Sequence, residues 1–177
     1  MRGVQERRAV ATLSGPDDRP GRSGRRWLLI AGVAVAIVVL DQATKTWALH
    51  HLRDGPRHVV WTLRLNLTFN TGVAFGQATG STALVTVIAV AVVGLLLVIA
   101  RRTGGAVTGV VLGLVIGGAL GNLADRLVRH HSGAVIDFID FRWWPVFNVA
   151  DAAITVGVVL AVARAIGRGA HDRRQPV

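Results

Sequence analysis

Four long apolar stretches, each close to the roughly 20 residues needed to cross a ~30 Å hydrocarbon layer as helix, dominate this sequence. The first opens at Trp27, directly after Arg25 and Arg26, and runs uncharged to Leu40; it reaches about Leu49 if Asp41 and Lys45 are tolerated near its end. The others cover about 83–100, stopped by Arg101 and Arg102, about 106–124, and about 147–167, where Arg164 can snorkel. The pattern predicts an all-α membrane protein of four transmembrane helices. The expected organisation is a disordered basic tail over 1–26, a membrane domain over 27–167 and a short tail over 168–177. The first stretch has the flank of a signal peptide. The residues after its core, Asp41 to Lys45, lack a small-x-small cleavage pattern, so a retained anchor is expected.

Charge sets the expected orientation. The chain carries a net +10, from 19 Arg, one Lys and ten acids. Residues 1–26, the turn at 101–102 and the segment from Arg164 onward hold +9 of it, whereas 41–64 and 125–151 together hold +1. Positive charge is retained inside, so both termini are expected in the cytoplasm and both long loops outside. The excess then orients the protein against anionic lipid, and nucleic acid is not needed as a partner. There is no Cys, which leaves Asp, Asn, Arg, His, Ser and Thr to carry any chemistry.

The outer loops have their own pattern. From Trp61 to Asn70, apolar residues alternate strictly with polar ones, the period of a strand with one polar face. Val135 to Phe141 can join it, giving a small extracytoplasmic β-sheet on the membrane surface. Gly72 and Gly76 bracket a short turn before the second span, and Trp143 with Trp144 suits the interfacial aromatic belt. On the third span, Gly109, Gly113, Gly117 and Gly121 recur every fourth residue, which predicts a close helix-packing stripe rather than chemistry.

Ionisable groups at membrane depth are costly and mark functional sites. Six acids, Asp41, Asp54, Asp125, Asp137, Asp140 and Asp151, fall at the expected outer face. Three have polar neighbours at helical spacing: Asp41 with Lys45, Asn122 with Asp125 and Arg126, and Asn148 with Asp151. Two adjacent carboxylates share a proton and can activate water between them, and Asp137 with Asp151 are the candidates. Rival roles are end caps for Asn148 and Asp151, an ion pair for Asp41 with Lys45, and a structural partnership with a base for Asp125. Asp54 and Asp140 read as solvated loop acids. His130 and His131 lack a third ligand at zinc spacing, so no metal and no cofactor are expected.

Five ordered segments, Asp41 to Lys45, Asn70 to Gly76, Gly121 to Leu127, Val135 to Ile139 and Phe147 to Ile154, resemble the sequence blocks of the lipoprotein signal peptidases, signal peptidase II. The resemblance implies an intramembrane aspartyl endopeptidase of the bacterial cell membrane. Its implied substrates are diacylglyceryl-modified prolipoproteins, cut just before the lipid-bearing Cys, near the outer face. It implies Asp137 and Asp151 as the catalytic dyad. Asn70, Asn122, Arg126 and Asn148 take the family's polar positions around substrate and dyad, and Asp41, Lys45, Gly72 and Ala150 shape the site. The expected partners are lipid-modified signal peptides and membrane phospholipid, with a single chain sufficing. The competing reading is a small four-span transporter or channel subunit, which calls for polar residues through several spans.

Overall fold

The computed structural model describes residues 20–72, 81–102, 104–129 and 131–172. Most of the expected basic tail, the Val73 to Gly76 part of the second sequence block, and His130 lie outside the described residues. The element order is α1 (Pro20–His51), β1 (Arg57–Val60), β2 (Leu63–Asn70), α2 (Ser81–Arg102), α3 (Ala106–Val128), β3 (Val135–Asp140) and α4 (Val149–Asp172). All four helices are long and apolar enough to cross a membrane. A chain in hydrocarbon must satisfy its own backbone hydrogen bonds, and a helix of Val, Ala, Leu and Ile does so within one segment. The outward faces of α1, α2 and α4 leave Leu28, Val39, Val87, Leu95, Val159 and Ile166 exposed. Apolar surface on that scale suits lipid rather than water.

The described part of α1 includes Pro20 to Arg26, ahead of the apolar run and within the stretch that the sequence suggested was disordered. Its 32 residues span about 48 Å, more than the hydrocarbon layer requires.

α3 is the central helix and packs against α1, α4 and α2. Its glycine stripe lies against α1. A Cβ at Gly113 would fall 2.7 Å from Val33 Cβ, and one at Gly117 would fall 2.8 Å from the Ala34 carbonyl oxygen. The backbones therefore meet at a distance that only glycine permits. Ile30, Ala34, Ala100, Leu112 and Ile116 form the core of this half of the bundle.

At the other end, the strands form one antiparallel sheet in the order β1-β2-β3. The register sets Arg64 opposite Asp140, Thr68 opposite Asp137 and Asn70 opposite Val135. The alternating stretch makes a strand only from Leu63, because Trp61 has φ 50 and turns the chain out of β1. The sheet rests on the bundle through Ala48, Leu52 and Phe138, with Leu65, Leu67, Ile139 and Val149 around them. Phe147, expected to open the fourth span, instead makes a bridge to Ile139. That bridge brings the start of α4 alongside the strand carrying Asp137.

Candidate active site

Asp137 and Asp151 reach the site from different elements. Asp137 is on β3 and almost wholly buried. Its Oδ2 accepts a hydrogen bond from Asn70 Nδ2 at 3.0 Å, and its Oδ1 accepts one from Asn148 Nδ2 at 2.7 Å. Burial pushes the Asp137 carboxyl up to about 6, and the Asp151 carboxylate adds to the rise; the bonds from Asn70 and Asn148 oppose it. Asn70 is held in turn by the tight turn at Gly72. The Gly72 N–H donates to Asn70 Oδ1 at 2.8 Å, and with φ 81 the turn needs glycine. The Asn70 amide nitrogen is thereby left facing Asp137.

Asp151 lies in the first turn of α4. The Asp151 N–H donates to Asn148 Oδ1 at 2.9 Å, and the Asn148 N–H donates to Asp151 Oδ2 at 3.2 Å. This is a reciprocal capping box, which satisfies two N–H groups that the helix end leaves open. Asp151 Oδ1 takes a further bond from Asn122 Nδ2 at 2.8 Å. The cap and the candidate site are thus built from the same atoms. Fully buried Asn148 contacts both carboxyl-bearing residues and also donates to Asn122 Oδ1 at 3.0 Å.

Below this layer is a buried ionic cluster. Lys45 and Asp41 are one helical turn apart on α1 and pair at 2.8 Å. Lys45 Nζ also meets Asp125 Oδ2 at 2.8 Å and Asn122 Oδ1 at 3.0 Å, so the ammonium has three acceptors and no exposure. Asp41 Oδ1 accepts the Ala150 N–H at 2.9 Å, a second cap on α4. Gly121 makes room for this: a Cβ there would fall 2.7 Å from Asp41 Oδ2. Asp125 Oδ2 accepts the Ile136 N–H at 3.1 Å and so ties β3 to α3, one residue before Asp137. The expected structural partner of Asp125 is therefore Lys45, and Ala150 acts through its backbone.

Among the described residues, Arg126 Nη1 reaches the Asn122 carbonyl at 3.4 Å, and its buried Nε has no hydrogen-bond partner. One expectation is corrected. Asp140 is not a solvated loop acid but a buried strand residue, paired with Arg64 at 2.6 Å across the β2–β3 register. The Arg142 N–H and the Arg64 guanidinium hold its carboxyl below the ordinary range. His131 packs against Phe69.

Gln42 and Arg129 are structural members of the cluster that the residue pattern did not single out. Gln42 Nε2 donates to Asp125 Oδ1 at 2.9 Å and to the Gly121 carbonyl at 3.1 Å. Arg129 donates to Gln42 Oε1 at 3.0 Å, to Thr46 Oγ1 at 2.7 Å, and approaches Asp125 Oδ1 at 3.3 Å. The i, i+4 spacing of Asp125 and Arg129 was a visible signal for half of this arrangement.

A family model described as signal peptidase (SPase) II matches residues 33–166. A lipoprotein signal peptidase of Mycobacterium avium (strain 104) is 40% identical over 156 residues, covering 85% of this chain and 84% of the relative. One from Rhodococcus jostii (strain RHA1) is also 40% identical, over 82% of this chain and 80% of its own length. A solved bacterial membrane enzyme superposes with a TM-score of 0.73 at 26% identity, covering 87% of this chain and 94% of that one. With four membrane-length helices and a match spanning most of its length, the chain belongs to the signal peptidase II family and is a membrane protease of the aspartic class.

Proposed function

We propose that the chain removes signal peptides from diacylglyceryl-modified prolipoproteins, cutting just before the lipidated Cys, with Asp137 and Asp151 as the catalytic dyad. The observation that carries this reading is the pair of carboxyls, from β3 and α4, both bonded to Asn148 where the sheet meets the bundle. The relatives named above are lipoprotein signal peptidases, which supports the substrate class.

In the proposed reaction the dyad enters with one shared proton. Asp137, raised to about 6, holds it, and the Asp151 carboxylate takes a proton from a water between the two. The water oxygen adds to the scissile carbonyl carbon while Asp137 gives its proton to the carbonyl oxygen, forming a neutral gem-diol. Collapse breaks the C–N bond; the proton on Asp151 passes to the leaving nitrogen, and a gem-diol proton returns to Asp137. Arg126, whose Nε is unfilled among the described residues, and Asn70 serve the substrate backbone. By the positive-inside rule, the +9 held in sequence by residues 1–26, 101–102 and 164–177 orients both termini to the cytoplasm and the sheet to the outer face of the bacterial cell membrane. A transporter calls for polar groups along a path; the charged cluster described here lies at one end of the bundle.

Purified protein incubated with a lipidated prolipoprotein and with its unlipidated form tests the reading. Cleavage of the lipidated form only is expected, and Asp137→Asn or Asp151→Asn abolishes it. Near wild-type turnover by either variant overturns the dyad, and equal cleavage of both substrates overturns the substrate class.

A further inference from the structure

The end of the bundle opposite the sheet contains a cleft that the peptidase site does not use. Arg102 closes α2, Gly104 and Thr108 flank the start of α3, and Arg164 projects from the last turns of α4. With Val111, Ala161 and Ala165 these residues line a cavity of about 430 Å³. Among the described residues no acid lines this recess, so Arg102 and Arg164 border it without a carboxylate. Arg164 Nε is buried and has no hydrogen-bond partner among the described residues. No side chain caps the start of α3, whose first N–H groups open toward the same end. A guanidinium with an unfilled donor in a recess is matched by an oxyanion that accepts from a planar fork. Val111, Ala161 and Ala165 supply an apolar wall beside it, at a depth where the neighbouring surface of α4 is itself exposed and apolar.

We propose that this cleft binds one anionic phospholipid, its phosphate between Arg102 and Arg164 and an acyl chain along Val111, Ala161 and Ala165. Phosphate with an attached hydrocarbon chain is the chemistry that fits both walls, and a zwitterionic lipid would bring a cation to two arginines. Each arginine near a lipid phosphate contributes a factor of roughly 5 in affinity, and the pair roughly 30.

Native mass spectrometry of the full-length protein in neutral detergent tests this, titrating phosphatidylglycerol and phosphatidylcholine of identical chains. The expected result is one retained phosphatidylglycerol per chain with at least a tenfold preference over phosphatidylcholine. Arg102→Gln/Arg164→Gln brings phosphatidylglycerol down to the phosphatidylcholine level, and Arg53→Gln/Arg57→Gln, at the sheet end, leaves it unchanged. Arg102→Lys/Arg164→Lys keeps most of the preference and serves if the neutral pair does not fold. Equal retention of the two lipids by the wild type, or undiminished binding in the Gln pair, overturns the proposal. Displacement of the lipid by inorganic phosphate or glycerol phosphate at equal concentration overturns it in favour of a free-anion site. None of these readouts depends on peptidase activity.

Discussion

Replacing Asn70 by Ala probes the dyad through its proton and leaves both carboxyls in place. Asn70 Nδ2 donates to Asp137 Oδ2 at 3.0 Å, a bond that favours the ionised carboxylate and restrains its rise to about 6. A hydrogen bond to a charged group contributes about 1.5–3 kcal/mol. Asn70 is exposed, so water replaces part of that, and about 1 kcal/mol, or ~0.7 pKa unit, remains. Asp137 in Asn70→Ala therefore holds its proton to higher pH. In the proposed reaction the dyad must keep one proton, so activity falls as pH rises through this ionisation. kcat/KM reports the free enzyme, and its alkaline limb is expected to move up by ~0.7 unit. In the proposed reaction Asn70 also serves the substrate, so the height of the profile drops; loss of binding alone leaves the limb where it was. The assay is cleavage of a fluorogenic lipopeptide in micelles over a pH series with wild type and variant side by side. A limb that stays fixed, or moves to lower pH, refutes the assignment of the shared proton to Asp137.

The same carboxyl makes a stability prediction. Its folded value of about 6 lies above the ordinary 3.8, so the folded chain binds more protons between those values, and stability falls as pH rises through them. About 2 units corresponds to at most ~3 kcal/mol. Asp137→Asn should therefore unfold at higher temperature than wild type near pH ~7.5 and lose that advantage near pH ~4; no gain at neutral pH refutes the burial argument. In the ionic cluster, Lys45→Met leaves Asp41 and Asp125 without their shared cation, at a cost of about 3–5 kcal/mol. The thermal midpoint should drop by at least ~6 °C. Lys45→Met/Asp125→Asn should recover part of that, whereas additive losses in the double variant would show that the pair is not coupled.

Much of this fold was legible because membrane spans impose long apolar runs and a half-buried strand imposes alternation. Residues 83–100 and the stretch ending at Asn70 carry those signals without competition. β1 carries none: all four of its residues are exposed, so no alternation marks it. In sequence Asp140 reads as a loop acid: besides the local Arg142 N–H, its ion-pair partner Arg64 lies 76 residues away, and only the strand register joins them. Gln42 was hidden beside Asp41, since adjacent helical residues point apart, yet its long side chain reaches Asp125 on another helix. In sequence, a cap and a place in the site are rival roles for Asn148 and Asp151. Residue types alone cannot show that an Asn amide bonds to one carboxyl while its carbonyl oxygen caps the helix bearing the other.

The buried position of Lys45 has a consequence for how the protein is made. Its contacts on α1 are with Asp41, but Asn122 follows 77 residues later and Asp125 later still. At about 5–20 residues per second, roughly 4–15 s pass between synthesis of the first helix and arrival of the third. Through that interval the end of α1 carries an ammonium with one carboxylate beside it, too polar to settle in hydrocarbon and held toward the aqueous boundary. Insertion of α3 completes its acceptors and draws that end of the bundle together, and the carboxylates of Asp41 and Asp125 then receive the backbone N–H groups of Ala150 and Ile136 as those segments emerge. The proposed site, built from α3, β3 and the start of α4, thus assembles only after the third helix has been made, and a protein truncated before α3 would leave this lysine without two of its three acceptors.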